Sequence, residues 1–426
     1  MAWISRQHSA VCATGMGVVT SLGLGKEDNW AALTQGRSGV TKIRRFTTEH
    51  LGTTIGATID FDDLGTLPFP VRTERLARLA LDEALAEAQF SPKYAQAPLF
   101  VGVPPAEMSW KPRLALALEI GDGNKVAYKD IISATSQGAH RFNHPIFLSG
   151  GIAMRLAESY GTTGAPVTIN TACATGATVI QLAVEAIRRG ETDAALVVAA
   201  DASIVPDTII RFSILAALSA SNDPPEGAAR PFSLDRDGFV IGEGGAALVL
   251  ENYQAAKARG RPPLGFVTGL GESADSYHIT RSSPDGAAIV AAMSRAINDS
   301  GLRLDEIQYV NAHGTGTPEN DRVEGLAFER VFGSSARTIP ISSNKSMIGH
   351  TMSAAGAIEA VFSLLTIKSG MLPPTINYRI PDPALPLDVV PNSARPANVE
   401  NVLSNSFGFG GQNVCLVLSR ESRSRN

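Results

Sequence analysis

The chain has 426 residues, of which 44% are hydrophobic and 18% are charged, a composition that excludes a disordered or fibrous protein. Its formal net charge of −4 at pH 7 argues against nucleic-acid binding as the role of the whole molecule. The three cysteines, Cys12, Cys173 and Cys415, are too widely spaced for a disulfide framework or a zinc motif. Without a signal-peptide pattern or an apolar run that could cross a bilayer, we expect a soluble cytoplasmic protein with no membrane insertion.

Strand-like and helical runs alternate along the chain, which predicts an α/β protein with substantial parallel sheet. In the first strand-like run, VCATGMGVVTSLG, Gly15 and Gly17 are followed by Thr20 where a dinucleotide-binding motif has its third glycine. A later segment, GEGGAALVL from Gly242, precedes a strand instead of following one. Neither segment has the context that this motif requires, so no nicotinamide cofactor is expected.

Residues 167–190, VTINTACATGATVIQLAVEAIRRG, combine a strand, a cysteine and a helix. The β-branched start predicts a buried strand, and Asn170 or Thr171 is a candidate cap for the helix. Cys173 is then predicted in the first helical turn, where unpaired N–H groups favour a thiolate and could hold an oxyanion. The alternative is a small buried cysteine that only packs.

Residues 339–370 repeat this pattern, with the strand-like IPIS, a glycine-containing turn and a helix ending in IKSG. Two matching units predict a duplicated fold with a seam near residues 251–263. The expected halves are residues 1–255, which carry the cysteine, and residues 256–426. If the two helix starts face each other across a pseudo-twofold axis, Cys173 lies near the start of the second-half helix.

Two of the seven histidines lie in glycine-containing turns next to predicted strands. His313 follows the strand in EIQYVNAHGTGT, and His350 directly precedes the second-half helix in SMIGHTMSAAG. Catalytic groups often occupy the carboxyl ends of parallel strands, which favours a functional pair over two structural histidines. Near the C-terminus, NSFGFGGQN is either a loop that offers backbone N–H groups to a substrate or an ordinary tight turn.

Together, these motifs resemble the β-ketoacyl–acyl-carrier-protein synthases, the condensing enzymes of fatty-acid and polyketide synthesis. The resemblance rests on TACATG, NAHGTGTP, NKSMIGH and NSFGFGG, and it covers almost the whole chain. It is greatest to the bacterial elongating type, which belongs to the type II systems and has a Cys-His-His triad. It implies a thiolase-like duplicated α/β fold in five layers, αβαβα. It also implies a decarboxylative condensation of malonyl-carrier protein with an acyl chain held on a cysteine, which lengthens the chain by two carbons.

The resemblance also implies roles for individual residues. Cys173 would carry the acyl chain, and the neutral imidazoles of His313 and His350 would stabilise the enolate formed by decarboxylation. The backbone N–H groups of Cys173 and Phe409 would form the oxyanion hole. Lys345 would pair with Glu324 and orient the site. The substrate-binding residues would be Thr315 and Thr317 on the phosphopantetheine arm, Phe212 in the acyl pocket, and Phe409 as a gate with its flanking Gly408, Gly410 and Gly411.

The implied partners are an acidic acyl carrier protein and a second copy of the chain, as a homodimer. The carrier brings its own phosphopantetheine, so neither a bound organic cofactor nor a metal is expected. Arg72, Arg75 and Arg78 lie at i, i+3 spacing and approximately match the carrier-docking region, the alternative being three solvated surface charges. In VGVPPAEMSW, Pro104 and Pro105 replace the usual Gly-Ser-rich segment near the acyl tunnel, which makes a specialised synthase credible.

Two other functions are considered. A non-catalytic partner subunit that sets chain length in a heterodimer would lack the nucleophile, and Cys173 is present. Thiolase chemistry on coenzyme A esters uses a second active-site cysteine late in the chain. Cys415, in NVCLVLS, instead lies in a pattern typical of a last strand.

Overall fold

The computed structural model describes residues 10–61, 63–105, 107–108, 110–120, 127–136, 138, 141–148 and 150–421. The chain that follows Pro105 in VGVPPAEMSW therefore lies partly outside the described residues. The strands are β1 (Val11–Thr20), β2 (Gly23–Leu24), β3 (Thr41–Lys42), β4 (Ile55–Gly56), β5 (Leu99–Gly102), β6 (Val167–Ile169), β7 (Ala194–Asp201), β8 (Gly244–Asn252), β9 (Gly265–Ala274), β10 (Tyr309–Asn311), β11 (Pro340–Ser342), β12 (Met371–Leu372), β13 (Asp388–Val389), β14 (Arg395–Pro396), β15 (Asn401–Phe407) and β16 (Gln412–Ser419). The helices are α1 (Lys26–Thr34), α2 (Phe69–Ala88), α3 (Pro92–Ala95), α4 (Trp110–Ile120), α5 (Tyr128–Ser136), α6 (His144–Phe147), α7 (Gly151–Tyr160), α8 (Thr175–Arg188), α9 (Pro206–Ile214), α10 (Tyr253–Ala258), α11 (Ala287–Ser300), α12 (Pro318–Phe332), α13 (Lys345–Ile348) and α14 (Ala355–Ser369).

The main sheet repeats one strand pattern on either side of the contact between β1 and β9. In one direction the order is β1, β8, β7, β5, β6, and in the other it is β9, β16, β15, β10, β11. In each series the first two pairings are antiparallel and the next two are parallel. The α/β fold is therefore duplicated, as the two repeated sequence units predicted.

Helices fill the space between the two halves and cover both outer faces, which gives five layers. In the middle, α8 packs on α14, and both contact strands of the two halves. On one outer face, α2 and α7 cover the strands of the first half. On the opposite outer face, α11 and α12 cover the strands of the second half. One apolar cluster surrounds the two central helices, and two more lie under the outer helices of each half, so these helices bury their hydrophobic surface against sheet.

The central helices approach each other at two glycines. A Cβ on Gly176 would overlap the backbone nitrogen of Ala357, and a Cβ on Gly356 would overlap that of Ala177. Only glycine allows two helix starts to come this close. The first turns of α8 and α14 therefore meet at the centre of the molecule, which brings the residues just before them together.

The glycines of the first strand have a packing role. Gly15 and Gly17 face the backbone of α2, where a Cβ would overlap the carbonyl oxygens of Ala84 and Ala80. This explains the glycine pattern that resembled part of a dinucleotide-binding motif. The absence of a side chain lets the helix lie directly on β1.

One helical stretch, Met352–Ser369, is apolar and long enough to cross a membrane by composition and length, contrary to the expectation from the sequence. It is 83% buried in the fold, as the central core helix. Its apolar character is explained by contact with sheet on both sides, because a helix that is apolar all round is a buried one.

The strand that precedes Cys173 differs from the prediction. Val167–Ile169 was expected to be buried, but β6 is the last strand of the main sheet and is exposed along much of its length. Its free side has unpaired strand hydrogen-bonding groups within the described chain, as an edge strand does.

Candidate active site

Cys173 lies in a tight turn between β6 and α8. The helix begins at Thr175 with Ala174 as its N-cap. Cys173 therefore lies just before the helix, whereas the sequence analysis had predicted it in the first turn. Asn170 and Thr171 do not cap the helix. The side-chain oxygen of Asn170 accepts the N–H of Ala172, whose φ of 48° is in the left-handed region. This turn projects the thiol from the end of the sheet toward the second half.

The structure brings together the three residues that the motifs singled out. The cysteine Sγ and one ring nitrogen of each histidine lie within 4.8 Å of one another. Cys173 is 7% exposed, and His313 and His350 are each 2% exposed. The two imidazole rings are 5.4 Å apart, edge to face. The site is thus a compact, largely dehydrated cluster of one thiol and two imidazoles.

The backbone around His350 fixes its ring. The His350 N–H donates to Val240 O at 2.7 Å, and Gly242 N donates to His350 O at 2.9 Å. The ring nitrogen Nδ1 accepts the N–H of Met352 at 3.2 Å, which leaves the proton of a neutral ring on Nε2. Nε2 is buried and has no partner among the described residues. It is therefore a free donor.

His313 is held by the carboxylate of Glu324. Glu324 accepts the backbone N–H of His313 at 2.9 Å, that of Gly314 at 2.7 Å and the side-chain amide of Asn405 at 3.1 Å. Nδ1 of His313 is buried without a partner in the described part of the chain. Glu324 thus supports the loop after β10, which agrees with a supporting role.

Both imidazoles are neutral. Burial is the main reason that the pKa of His313 lies well below 6.5, and the positive charge of Lys345 and the neighbouring His350 lower it further. The pKa of His350 is lowered in the same way, by burial and then by Lys345. A neutral imidazole donates one hydrogen bond and accepts another, which suits stabilisation of a developing anion.

The predicted ion pair between Lys345 and Glu324 is wrong. Lys345 Nζ forms its ion pair with Glu359, in the second turn of α14, and both side chains are almost completely buried. Burial raises the pKa of Glu359 to about 7, although Lys345 opposes the shift. Glu324 is already occupied by two backbone N–H groups and an amide.

Glu359 was missed by sequence reasoning, but the chain contains a signal for it. It is the only acidic residue in the apolar AGAIEAVFSLL. An ionisable group on an otherwise apolar helix needs a buried partner of opposite charge. A search for such a partner would have favoured the equally isolated Lys345.

Burial dominates the ionisation of the nucleophile. It raises the pKa of Cys173 to about 11, although Lys345 and the backbone N–H of Phe409 favour the thiolate. The sequence-based expectation of a thiolate at the helix start is therefore wrong for the free protein. The sulfur must lose its proton as it attacks, and the neutral imidazole of His313 is close enough to accept it.

The glycine-rich C-terminal loop places Phe409 over the thiol. Its backbone N–H faces the sulfur, and its ring is 6.3 Å from that of Phe212. Gly408 N donates to Gln412 O at 2.7 Å, and Gly410 N donates to Ile279 O at 2.6 Å. The loop therefore presents Phe409 from between two anchored glycines.

Two cavities meet at Cys173. The inner cavity, of about 210 Å³, is lined by residues that include Phe69, Met108, Asp201, Asp207, Phe212 and Phe409. The mouth cavity, of about 590 Å³, contains Thr315 and Thr317 beside both histidines and extends to the exposed Ile214 and Ile279. Thr317 also caps α12, and its hydroxyl is 2.9 Å from that of Thr315. A long substrate can therefore reach the thiol through one cavity and leave its acyl end in the other.

The three candidate docking arginines differ in their surroundings. Arg72 is 3% exposed and donates to Leu67 O and Ala202 O, while it contacts Glu243 at 3.1 Å. It is therefore a structural residue, and its predicted docking role is wrong. Arg78 is bound to Glu74 and half-buried. Arg75 is exposed and stays a prediction.

The thiol and imidazoles are also close enough for a metal ion. However, His350 Nδ1 is occupied by the Met352 N–H, so the proton is on the free Nε2. That nitrogen then has no lone pair for a metal. The N–H of His350 Nε2 therefore suits an anion better than a metal cation.

Comparisons with known proteins agree with the motifs and the geometry. The family described as "Beta-ketoacyl synthase, N-terminal domain" matches residues 8–256, and "Beta-ketoacyl synthase, C-terminal domain" matches residues 264–379. The chain belongs to the β-ketoacyl synthase family. The 3-oxoacyl-[acyl-carrier-protein] synthase 2 of Coxiella burnetii is 37% identical over 417 residues, which are 96% of this chain and 98% of that protein.

Two further relatives extend the family likeness to polyketide synthesis. The tetracenomycin polyketide synthase ketoacyl synthase alpha subunit of Streptomyces glaucescens is 35% identical over 432 residues, 98% of each chain. Among solved structures, a type II polyketide ketosynthase in complex with its acyl carrier protein and bound to a hexaketide superposes with a TM-score of 0.86. It is 31% identical and covers 97% of this chain and 100% of that one. The β-ketoacyl synthase has the thiolase-like fold that the resemblance implied.

The thiolase alternative finds no support in the position of the last cysteine. Cys415 lies within β16, is fully buried and pairs in register with Asn405 and Gly271. It is a core residue of the β-ketoacyl synthase and does not line either cavity at Cys173.

Proposed function

We propose that this β-ketoacyl synthase condenses malonyl-acyl carrier protein with an acyl chain bound to Cys173. The observation that carries the proposal is the buried thiol within 4.8 Å of two imidazole nitrogens. In the first step, Cys173 Sγ attacks the carrier thioester and the pantetheine thiolate leaves. The proton of Cys173 passes through an imidazole to that leaving group, so the charge balances.

In the second step, malonyl-carrier protein occupies the mouth cavity and loses carbon dioxide. The electrons of the broken carbon–carbon bond move to the thioester oxygen, which becomes an enolate. The free Nε2–H of His350 and the neutral ring of His313 lie where this charge would develop. Donors placed in advance in a dry site are the most effective stabilisers of such a charge.

In the third step, the enolate carbon attacks the acyl-cysteine. The tetrahedral oxyanion would be bound by the backbone N–H groups of Phe409 and Cys173, and the former already faces the sulfur. Collapse of this intermediate releases the lengthened chain and the cysteine thiolate. Because malonate arrives as a carboxylate, one proton from solvent restores the thiol.

The remaining partners follow from this chemistry. We propose that an acyl carrier protein delivers both substrates on its phosphopantetheine, with Thr315 and Thr317 beside the arm and Arg75 available for docking. Because the thiol, imidazoles and backbone groups supply each step, no resident cofactor or metal is proposed. The cytoplasm, where thiols stay reduced, is the compartment that suits a free catalytic cysteine.

We also propose that the protein is a homodimer. The edge strand β6 and large apolar residues such as Leu118, Ile132 and Ile214 are exposed on the single chain. A second copy could pair along β6 and cover this surface. Light scattering should give twice the chain mass at micromolar concentration, and a single-chain mass would contradict the dimer.

Acyl capture by Cys173 tests the proposal directly. Incubation with an acyl-carrier thioester should add one acyl group, located on Cys173 by peptide mass spectrometry.

Since burial raises the pKa of this thiol to about 11, the thiolate fraction grows with pH throughout the neutral range. The rate at which a thiolate-specific alkylating reagent modifies Cys173 should therefore rise about tenfold per pH unit.

Two results would contradict this account. An acyl group on Cys12 or Cys415 would assign the nucleophile to another residue. An alkylation rate that is already constant at neutral pH would show a preformed thiolate. Unfolded protein serves as the control for the reagent, because all three cysteines then react with ordinary thiol behaviour.

A further inference from the structure

The inner cavity has an unusually charged wall for a space that would hold an acyl chain. Its lining includes Glu107, Asp201, Asp207 and Arg211. Arg211 donates to both carboxylate oxygens of Glu107, at 3.1 Å for one of the two bonds. This ion pair joins α9 to the segment that follows β5. The side chains of Arg211 and Glu107 are 55% and 41% exposed, so an occupant would meet this ion pair at the solvent-exposed part of the cavity.

The two aspartates of this wall differ in how well they are hydrogen-bonded. Asp201 is 1% exposed and accepts from the backbone and hydroxyl of Ser203 and from the backbone of Ser353. In Asp207, Oδ2 is shielded from solvent and has no hydrogen-bond partner among the described residues. The other oxygen of Asp207 is 3.8 Å from Nη1 of Arg113. A shielded carboxylate oxygen without a donor is unfavourable.

The chemistry of this wall discriminates between classes of acyl chain. A saturated chain would displace water from Asp207 and Arg211 and would offer no hydrogen bond in return. A ketone could accept from Arg211 but could not donate to Asp207. A hydroxyl group is both donor and acceptor, so it can satisfy the carboxylate and the guanidinium together.

We propose that the inner cavity selects acyl chains with a hydroxyl group in their distal half, and that Asp207 determines this specificity. The inference rests on the proposed capture of the acyl chain by Cys173. Asp207 acts on the far end of the substrate and takes no part in bond making. Its effect therefore falls on the choice of acyl group and not on the decarboxylation of malonyl-carrier protein.

A competition experiment tests the proposal. Carrier protein is loaded with octanoyl chains that are saturated, or that bear a hydroxyl or a ketone on each distal carbon in turn. Equimolar pairs compete for the intact enzyme, and the adducts on Cys173 are quantified by mass spectrometry. At least one hydroxyl isomer should be captured about tenfold faster than the saturated chain, the ratio that one hydrogen bond to a charged group provides.

Variants assign the preference to one side chain. Asp207→Leu should bring the ratio close to one, mainly by faster capture of the saturated chain. Asp207→Asn keeps the volume and an acceptor oxygen, so it should keep part of the preference. Asp193→Leu is the matched control, because Asp193 is an exposed aspartate at the opposite end of β7, and its ratio should equal that of the wild type.

The outcomes separate this inference from the proposed function. Equal or faster capture of the saturated chain by the wild-type enzyme would overturn the hydroxyl preference and leave the condensing function intact. An unchanged ratio in Asp207→Leu would overturn the role of Asp207. Failure of every chain to form an adduct would contradict the proposed function, and this inference with it.

Discussion

Cys173→Ala should abolish acyl capture and lower condensation by more than about 10³-fold, because the variant has no atom that can form the acyl-enzyme. Decarboxylation of malonyl-carrier protein should persist. The groups that would stabilise the enolate are the imidazoles of His313 and His350, and their support by Glu324, Val240 and Met352 does not involve the sulfur. The measurement is the release of carbon dioxide beside the yield of condensed product, in the same reaction.

Cys415→Ala is the matched control for this prediction. It removes a second fully buried thiol, on β16, and should cost stability but leave both reactions coupled one to one. The expected signature of Cys173→Ala is thus a separation of the two half-reactions and not a general loss. Condensation at the wild-type rate by Cys173→Ala would remove the basis for the proposed roles of all three residues.

The parts of the site that were predictable from the sequence lie in short, local motifs. Each of the three residues lies in a short connection after a strand, with a left-handed residue beside it: Ala172 next to Cys173, Gly314 next to His313 and Gly349 next to His350. The duplicated pattern indicated that the two helix starts meet. The contact is possible because Gly176 and Gly356 have no Cβ that would overlap the facing backbone. Internal repetition predicted that Cys173 lies near His350, and the resemblance to the β-ketoacyl synthases added His313 to the site.

The partner of Lys345 was not predictable from local sequence. Its partner Glu359 lies near a second buried carboxylate, Glu324, and the choice depends on which one is already satisfied by the backbone. Glu324 accepts N–H groups of the loop after β10, so Glu359 remains for the ammonium group. Such an allocation depends on three-dimensional hydrogen bonding, which spacing along the chain does not encode.

Burial explains the other differences between prediction and structure. Arg72 has the spacing of a surface residue, yet the turn before α2 and the end of β7 enclose it. The prediction of a thiolate at Cys173 was wrong because burial raises the pKa of the thiol by more than the nearby charge of Lys345 lowers it. Conversely, β6 is β-branched but exposed on the single chain. A sequence pattern predicts the element, but the solvent exposure depends on which elements surround it.

His350→Ala should lower the rate of malonyl decarboxylation by about 10²- to 10³-fold, the effect of removing one donor from an oxyanion site. The reason is the free Nε2–H, whose position is fixed because Nδ1 accepts the Met352 N–H. His350→Gln keeps an N–H donor and should lose less activity than His350→Ala. Both are best measured in the Cys173→Ala background, where acyl capture cannot affect the rate of carbon dioxide release.

The pH dependence of this reaction tests whether the imidazoles act as neutral donors. Their pKa values lie well below 6.5, so protonation begins only well below that pH and the rate should be flat above it. If an imidazolium were the active form, the rate would instead fall as the pH rises through neutrality. His50→Ala is the control, because that side chain is 90% exposed on the surface, and it should match the parent at every pH. A His350→Ala variant that decarboxylates at the parental rate would assign stabilisation of the enolate to His313 alone.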